Sequence, residues 1–148
     1  MELRRATLAD VPDIVRLLHP LSLPGEQREI QPDASLYRAQ FDAVERSGAQ
    51  LWVAIQQGHV VGTAIMHILH RISFTAPSVA ILENVVVDAG SRSQGVGEAL
   101  VAHAVADARA AGCQRMELTS RQERHDAHRF WQRCGFTPSH LGFKRSLT

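Results

Sequence analysis

A chain of 148 residues with 45% hydrophobic and 21% charged residues has the balance of an ordinary globular protein and the length of one domain, residues 1–148. Its formal net charge of +1 leaves no basic footprint for nucleic acid. It has no apolar run of about 18 residues, so no membrane span is expected.

The opening MELRRATLAD has neither the apolar core nor the cleavage site of a signal peptide, which makes the cytoplasm the expected compartment. Cys113 and Cys134 stand outside any Cys-x-x-Cys pattern and fit reduced, structural thiols. Glu2 to Arg5 reads as a short strand. Asp10 then stands as an N-cap with Asp13 in the first turn, and Val11, Ile14, Val15 and Leu18 mark one face of a helix that Pro20 ends. HPLSLPGEQREIQP is a loop by its prolines and glycine, after which Asp33 caps a second helix running to about Ser47, with Gly48 as its stop. LWVAIQQGHVVGTAIMHIL predicts two strands joined by a tight turn at Gln57-Gly58. A loop from Arg71 to Ser78 leads into the strand VAILENVVV.

An alanine-rich helix follows to about Ala111, with Val96, Leu100, Ala104 and Ala108 as its buried stripe and Gly112 as its stop. RMELTS is another strand. From Glu123 to Cys134 the residues Ala127, Phe130, Trp131 and Cys134 fall at i, i+3, i+4 and i+7, one apolar helical stripe before Gly135. The tail GFTPSHLGFKRSL can supply two last strands. The elements add up to an α+β fold, a mixed and mostly antiparallel sheet of about six or seven strands flanked by about four helices.

The chemistry concentrates in ENVVVDAGSRSQGVGEAL, Glu83 to Leu100. A tight loop entering a helix leaves several backbone N–H groups unpaired at the positive end of the helix dipole, an anion site before any side chain helps. Gly95 and Gly97 let the backbone approach an anion where a Cβ would block it. A Walker A loop fails the spacing, because Gly90 to Gly95 is followed by Val96 and Gly97 where Lys and Ser or Thr belong. A dinucleotide fingerprint fails as well, with Leu100 at its third small position and the loop lying past the middle of the chain.

What remains, Arg92-x-x-Gly95-x-Gly97 directly after a valine strand, resembles the pyrophosphate-binding loop of the GNAT superfamily of N-acetyltransferases. The order of elements resembles that family too: the N-terminal ELRRATLADVPDIVRLL, the hairpin, the valine strand, the loop, and AHRFWQRCGF further on. The resemblance implies the GNAT acyl-coenzyme A fold and acetyl-CoA as co-substrate. The backbone of Val85, Val86 and Val87 would then pair with the pantetheine arm as an added strand. Ser93, Gln94, Gly95, Val96, Gly97 and Glu98 would hold the pyrophosphate, with Arg92 either a charge partner beside it or an exposed arginine. The Glu98 carboxylate is favoured by the helix dipole in any case.

Acetyl transfer to an amine begins with a proton. An alkyl ammonium with a pKa near 10.4 is neutral in roughly one molecule in two to three thousand at pH 7, a cost of about 4.6 kcal/mol. The resemblance makes Glu83 the candidate base, two residues before the pantetheine contacts; the alternative is a strand glutamate at a solvated sheet end. Backbone N–H groups near Val85 could polarise the thioester carbonyl. The family's usual tyrosine, the proton donor to the coenzyme A thiolate, is Trp131 here, and an indole N–H cannot serve as an acid near neutrality. A thiol with a pKa of about 8.5 leaves well unaided. Water, Ser120 or Tyr37 protonates it, or no protein group does, and Trp131 belongs to the apolar stripe by packing. The family's frequent asparagine seven residues earlier is Arg124.

No metal site is expected. His67 and His70 should face opposite sides of a strand, and His125 and His128 have no acidic or sulfur partner at matching spacing. His67 or His70 is an alternative base. The acceptor would meet the loop His19 to Pro32, with Glu26, Arg28 and Glu29, the turn Arg71 to Ser78 beside His70, and the C-terminal segment. That mixed charge suits a small-molecule amine carrying its own carboxylate or phosphate. A protein lysine or N-terminal acetyltransferase and a non-catalytic acyl-CoA-binding sensor are the alternative readings. Members of the family often pair as homodimers, and no patch in the sequence assigns such an interface.

Overall fold

The computed structural model describes residues 1–21 and 34–147. Five strands form in order along the chain: β1 (Glu2–Arg5), β2 (Gln50–Gln56), β3 (His59–His70), β4 (Ser78–Val87) and β5 (Arg115–Glu117). They lie in the sheet in the same order, antiparallel from β1 to β4, with β5 parallel to β4. The parallel step needs a crossover, and the helix between β4 and β5 supplies it. Gln57 and Gly58 both take left-handed angles, φ 50° and 79°, the conformation a two-residue hairpin turn requires.

Four α-helices accompany the sheet: α1 (Val11–Leu18), α2 (Ala34–Arg46), α3 (Val96–Ala110) and α4 (His125–Arg133). Ile14 and Leu17 of α1 join Val53 and Val60 in one buried cluster, with Phe41 of α2 packed against it. The α1 stripe therefore runs through Val11, Ile14 and Leu17, and Val15 sits at its half-buried margin. α3 covers the opposite face. Its predicted stripe of Val96, Leu100, Ala104 and Ala108 is buried, and its His103 meets Trp52 edge-to-face at 5.3 Å. Gly62 is a point of close approach: a Cβ there would stand 3.1 Å from both Leu100 and Val96.

Asp10 holds the N-cap position of α1, as expected, but its side chain makes no capping bond to that helix. It is buried at 6% exposure and ends a short 3-10 turn that Thr7 begins. Its carboxylate accepts two hydrogen bonds from the Arg4 guanidinium, at 2.7 and 2.9 Å, and two from Thr7, from the amide and the hydroxyl. Asp33, Glu26, Arg28 and Glu29 lie outside the described residues.

The chain divides into two compact units, Met1–Glu117 and Leu118–Thr148. The first holds the sheet and α1 to α3. The second holds α4, where Trp131 packs edge-to-face with Phe130 and Phe136 at 4.8 and 5.6 Å. The sheet of six or seven strands is corrected to five among the described residues, because the segment from Gly135 to Leu147 forms none. Leu141 and Phe143 of this segment both stand exposed, with no neighbouring strand among the described residues for them to pack on.

Candidate active site

β4 changes phase in its middle. Thr63 pairs with Val86 and Ile65 pairs with Glu83, so the single residue Ala64 faces two, Asn84 and Val85. This is a β-bulge, and Asn84 takes φ 52° to make it, a left-handed angle that asparagine tolerates better than most residues. Residues directly opposite one another in an antiparallel pair share a face, so Glu83 and Val86 both point to the face that carries α1. Val86 packs there against the cluster of Ile14 and Leu17. The parallel ladder to β5 covers only Val79, Ala80 and Ile81. Beyond Ile81 the second edge of β4 has no ladder partner among the described residues, which leaves a row of backbone N–H and C=O groups from Leu82 to Val87.

Glu83 stands at this junction with its side chain 53% exposed, and its Oε2 lies 3.7 Å from Nε2 of His67. His67 is opposite Ile81, one diagonal step from Glu83 on the same face. His70 turns to the other side, where its Nδ1 is 3.1 Å from the Ser78 hydroxyl. The two histidines thus divide between faces as their spacing requires. Ile81 also pairs with Glu117, whose carboxylate is 2.6 Å from Arg115 Nε and 3.7 Å from Arg71. One patch of the sheet therefore carries two carboxylates, an imidazole and two guanidinium groups.

The loop after β4 is pinned before it opens. The Asp88 carboxylate accepts the Gly90 amide and the Arg16 guanidinium, and Arg16 also donates to the Val60 carbonyl and to Asp13. Arg16 holds the Asp88 carboxyl below its usual range, and Asp88 in turn raises Arg16. α1 is thereby tied to the root of the loop. Arg92 folds back so that its Nε donates to the Val87 carbonyl at 3.3 Å, and the Gln94 amide donates to the Gly90 carbonyl. Ser93 and Gly95 take φ 60° and 79°, which turns the chain into α3. The first bond of that helix runs from the Ala99 amide to the Gly95 carbonyl, so the amides of Val96, Gly97 and Glu98 precede its ladder. No atom lies within 4 Å of where a Gly95 Cβ would stand.

This loop and the strand edge next to it fit acetyl-CoA: amides at a helix N-terminus suit a pyrophosphate, and an unpartnered strand edge suits an amide-bearing arm. Within the second unit, the Ser120 hydroxyl is buried without a hydrogen-bond partner, and Trp131 is half-buried in its aromatic cluster. Arg124 sits just before α4. Tyr37 is half-buried on α2. No group of three or more His, Cys, Asp or Glu side chains that could hold a metal ion occurs among the described residues. No helix among them is long and apolar enough to cross a membrane.

Sequence reasoning missed two features here. The Arg16–Asp88 clamp joins residues far apart in the chain, and nothing local announces it. The proximity of His67 to Glu83 depends on strand register and on the bulge, although a histidine facing α1 was readable by counting back along β3.

The acetyltransferase (GNAT) family model matches residues 13–136. The chain is 32% identical over 150 residues to the aminoalkylphosphonate N-acetyltransferase of Salmonella typhimurium, an alignment covering 99% of this chain and 91% of that one. A crystal structure of a Trypanosoma brucei acetyltransferase is 26% identical with a TM-score of 0.84, and a crystal structure described as a transcriptional regulator from Bacillus halodurans is 28% identical with a TM-score of 0.89. Each covers 99% of both chains. The chain belongs to the acetyltransferase (GNAT) family and is an N-acetyltransferase.

Proposed function

We propose that the chain moves the acetyl group of acetyl-CoA to the primary amine of a small molecule that carries its own anionic group, an aminoalkylphosphonate being the first candidate. The observation that carries this reading is the break in β4, which sets Glu83 beside the open strand edge. Acetyl-CoA supplies the activated acetyl thioester. The backbone of Val85, Val86 and Val87 pairs with the pantetheine arm, and the amides from Ser93 to Glu98 receive the pyrophosphate. Arg92 braces the end of the strand against that loop. Glu83 attracts the substrate ammonium and takes its first proton, which lets the neutral amine attack. Trp131 packs and does not donate a proton.

Two observations support an anionic acceptor. Arg71 and Arg115 gather on a single carboxylate, Glu117, which leaves one guanidinium charge in excess around that carboxylate. The Salmonella typhimurium relative acts, by its name, on aminoalkylphosphonates. The half-buried thiols Cys113 and Cys134 support a reducing, cytoplasmic setting.

The test is coenzyme A thiol release from acetyl-CoA across aminoalkylphosphonates, amino acids, polyamines, amino sugars and lysine peptides. Release on small anionic amines is the expected outcome, and release on lysine peptides alone would overturn the acceptor class. With the active amine, Glu83→Gln should lower kcat about a hundredfold or more at neutral pH while coenzyme affinity stays within twofold. Equal rates for variant and wild type would remove Glu83 as the base.

A further inference from the structure

We infer that His67 completes the proton-accepting group with Glu83, holding the proton that Glu83 takes from the substrate ammonium and passing it to water. This rests on the reading of Glu83 as the group that meets the ammonium. The two side chains sit on adjacent strands, on one face, with Nε2 and Oε2 3.7 Å apart. That distance puts the carboxylate within ion-pair reach of an imidazolium as it forms. The His67 side chain is 34% exposed, enough for solvent to collect the proton.

The chemistry favours this division of labour. An ordinary carboxylic acid, with a pKa of about 4.3, accepts a proton from an alkyl ammonium against an equilibrium of roughly a millionfold. An imidazole, with a pKa of about 6.5, faces roughly ten-thousandfold, so a proton on a carboxyl moves downhill to it by about a hundredfold. A carboxylate alone attracts the ammonium well and keeps its proton poorly. The pair does both.

The step balances as follows in atoms and charge. One ammonium proton passes to Glu83 and on to His67. The nitrogen lone pair forms the new N–C bond as the C–S bond breaks, and the second proton lost from nitrogen ends on the thiolate to give the thiol. The imidazolium then releases its proton to water, so each turnover frees one proton. The row that runs from His67 through Ile81 carries one other charged group, Glu117, which Arg115 and Arg71 hold.

The experiment compares His67→Ala, Glu83→Gln and the double variant with the active amine, with and without added imidazole, after circular dichroism has shown each to be folded. His67→Ala should lower kcat about tenfold to a hundredfold. Its KM for acetyl-CoA should stay within twofold. Imidazole should restore part of the rate, which a purely structural role would not allow, and the double variant should be no slower than Glu83→Gln alone, because the two residues act as one unit. A wild-type rate for His67→Ala beside a slow Glu83→Gln would overturn the role of His67 and leave that of Glu83 standing. Loss in the double variant equal to the product of the single losses, with no rescue by imidazole, would also overturn it. A wild-type rate for Glu83→Gln would sink the underlying reading instead.

Discussion

Replacing Asp10 by asparagine isolates the charge in the Arg4–Asp10 pair. Asparagine keeps the shape and an acceptor for Thr7 but removes the carboxylate that Arg4 grips. The Arg4 hydrogen bonds hold the Asp10 carboxyl at about 2, against an ordinary 3.8, with further help from the Thr7 amide and hydroxyl. At about 1.4 kcal/mol per tenfold in proton affinity, that difference corresponds to about 2 kcal/mol of folding stability. The Arg4 side chain is 36% exposed, so screening by water trims the figure toward about 1 kcal/mol. The folded pKa lies below the unfolded one, so the contribution is fully present above about pH 4 and is lost as pH falls toward about 2. Urea unfolding followed by tryptophan fluorescence is a direct assay, since Trp52 is buried at 1% exposure. At pH 7 the variant should be weaker by about 1 to 2 kcal/mol, with a melting temperature lower by roughly 2 to 8 °C. The gap should hold constant from pH 7 to 5 and narrow between about pH 4 and 2. Parallel stability curves down to about pH 2 would refute the reasoning, because they would mean the pair has no differential affinity for the proton.

Two glycines give further expectations. Gly95→Ala should cost about 1 kcal/mol through its left-handed backbone and also raise the KM for acetyl-CoA severalfold, because the added Cβ projects into the open space at the α3 N-terminus. Gly48→Ala, at φ 74° with the same open surroundings, is the control and should lose stability alone; equal KM changes in both would refute a cofactor at the loop. Gly62→Ala should destabilise by roughly 1 to 3 kcal/mol in thermal melts, since Leu100, Val96 and the Val86 carbonyl all stand within 3.2 Å of the new methyl group. An unchanged melting temperature would mean that α3 moves away from β3 without penalty.

The parts of this fold that were legible in the sequence are those encoded by near neighbours. The α3 stripe follows from a single helical period in an alanine-rich segment, and the hairpin turn follows from Gln57-Gly58, whose two positions need left-handed angles. The loop that turns into α3 was legible for the same reason, glycine spacing being local. Asp10 was legible as the residue that precedes α1, but the partner of its side chain, Arg4, is fixed by how β1 enters the turn. Leu17 lost its place to Val15 because a short helix fits two neighbouring stripes about equally well until a sheet is placed beneath it. The bulge at Asn84 left no mark at all: one residue out of phase in a run of valines looks like strand throughout. Everything that depends on register, the His67–Glu83 contact above all, was hidden with it.

The bulge also divides β4 into two stretches answerable to different tasks. Leu82 and Glu83 take their phase from Met66 and Ile65, whereas Val86 and Val87 take theirs from Thr63 and Gly62. Each stretch is anchored by its own run of the ladder, and Asn84 absorbs the offset between them. On the proposed reading of Glu83, substitutions around it would retune which amine is accepted without shifting the residues that follow the bulge. A lineage could then change its diet along this strand while leaving the proposed grip on coenzyme A alone.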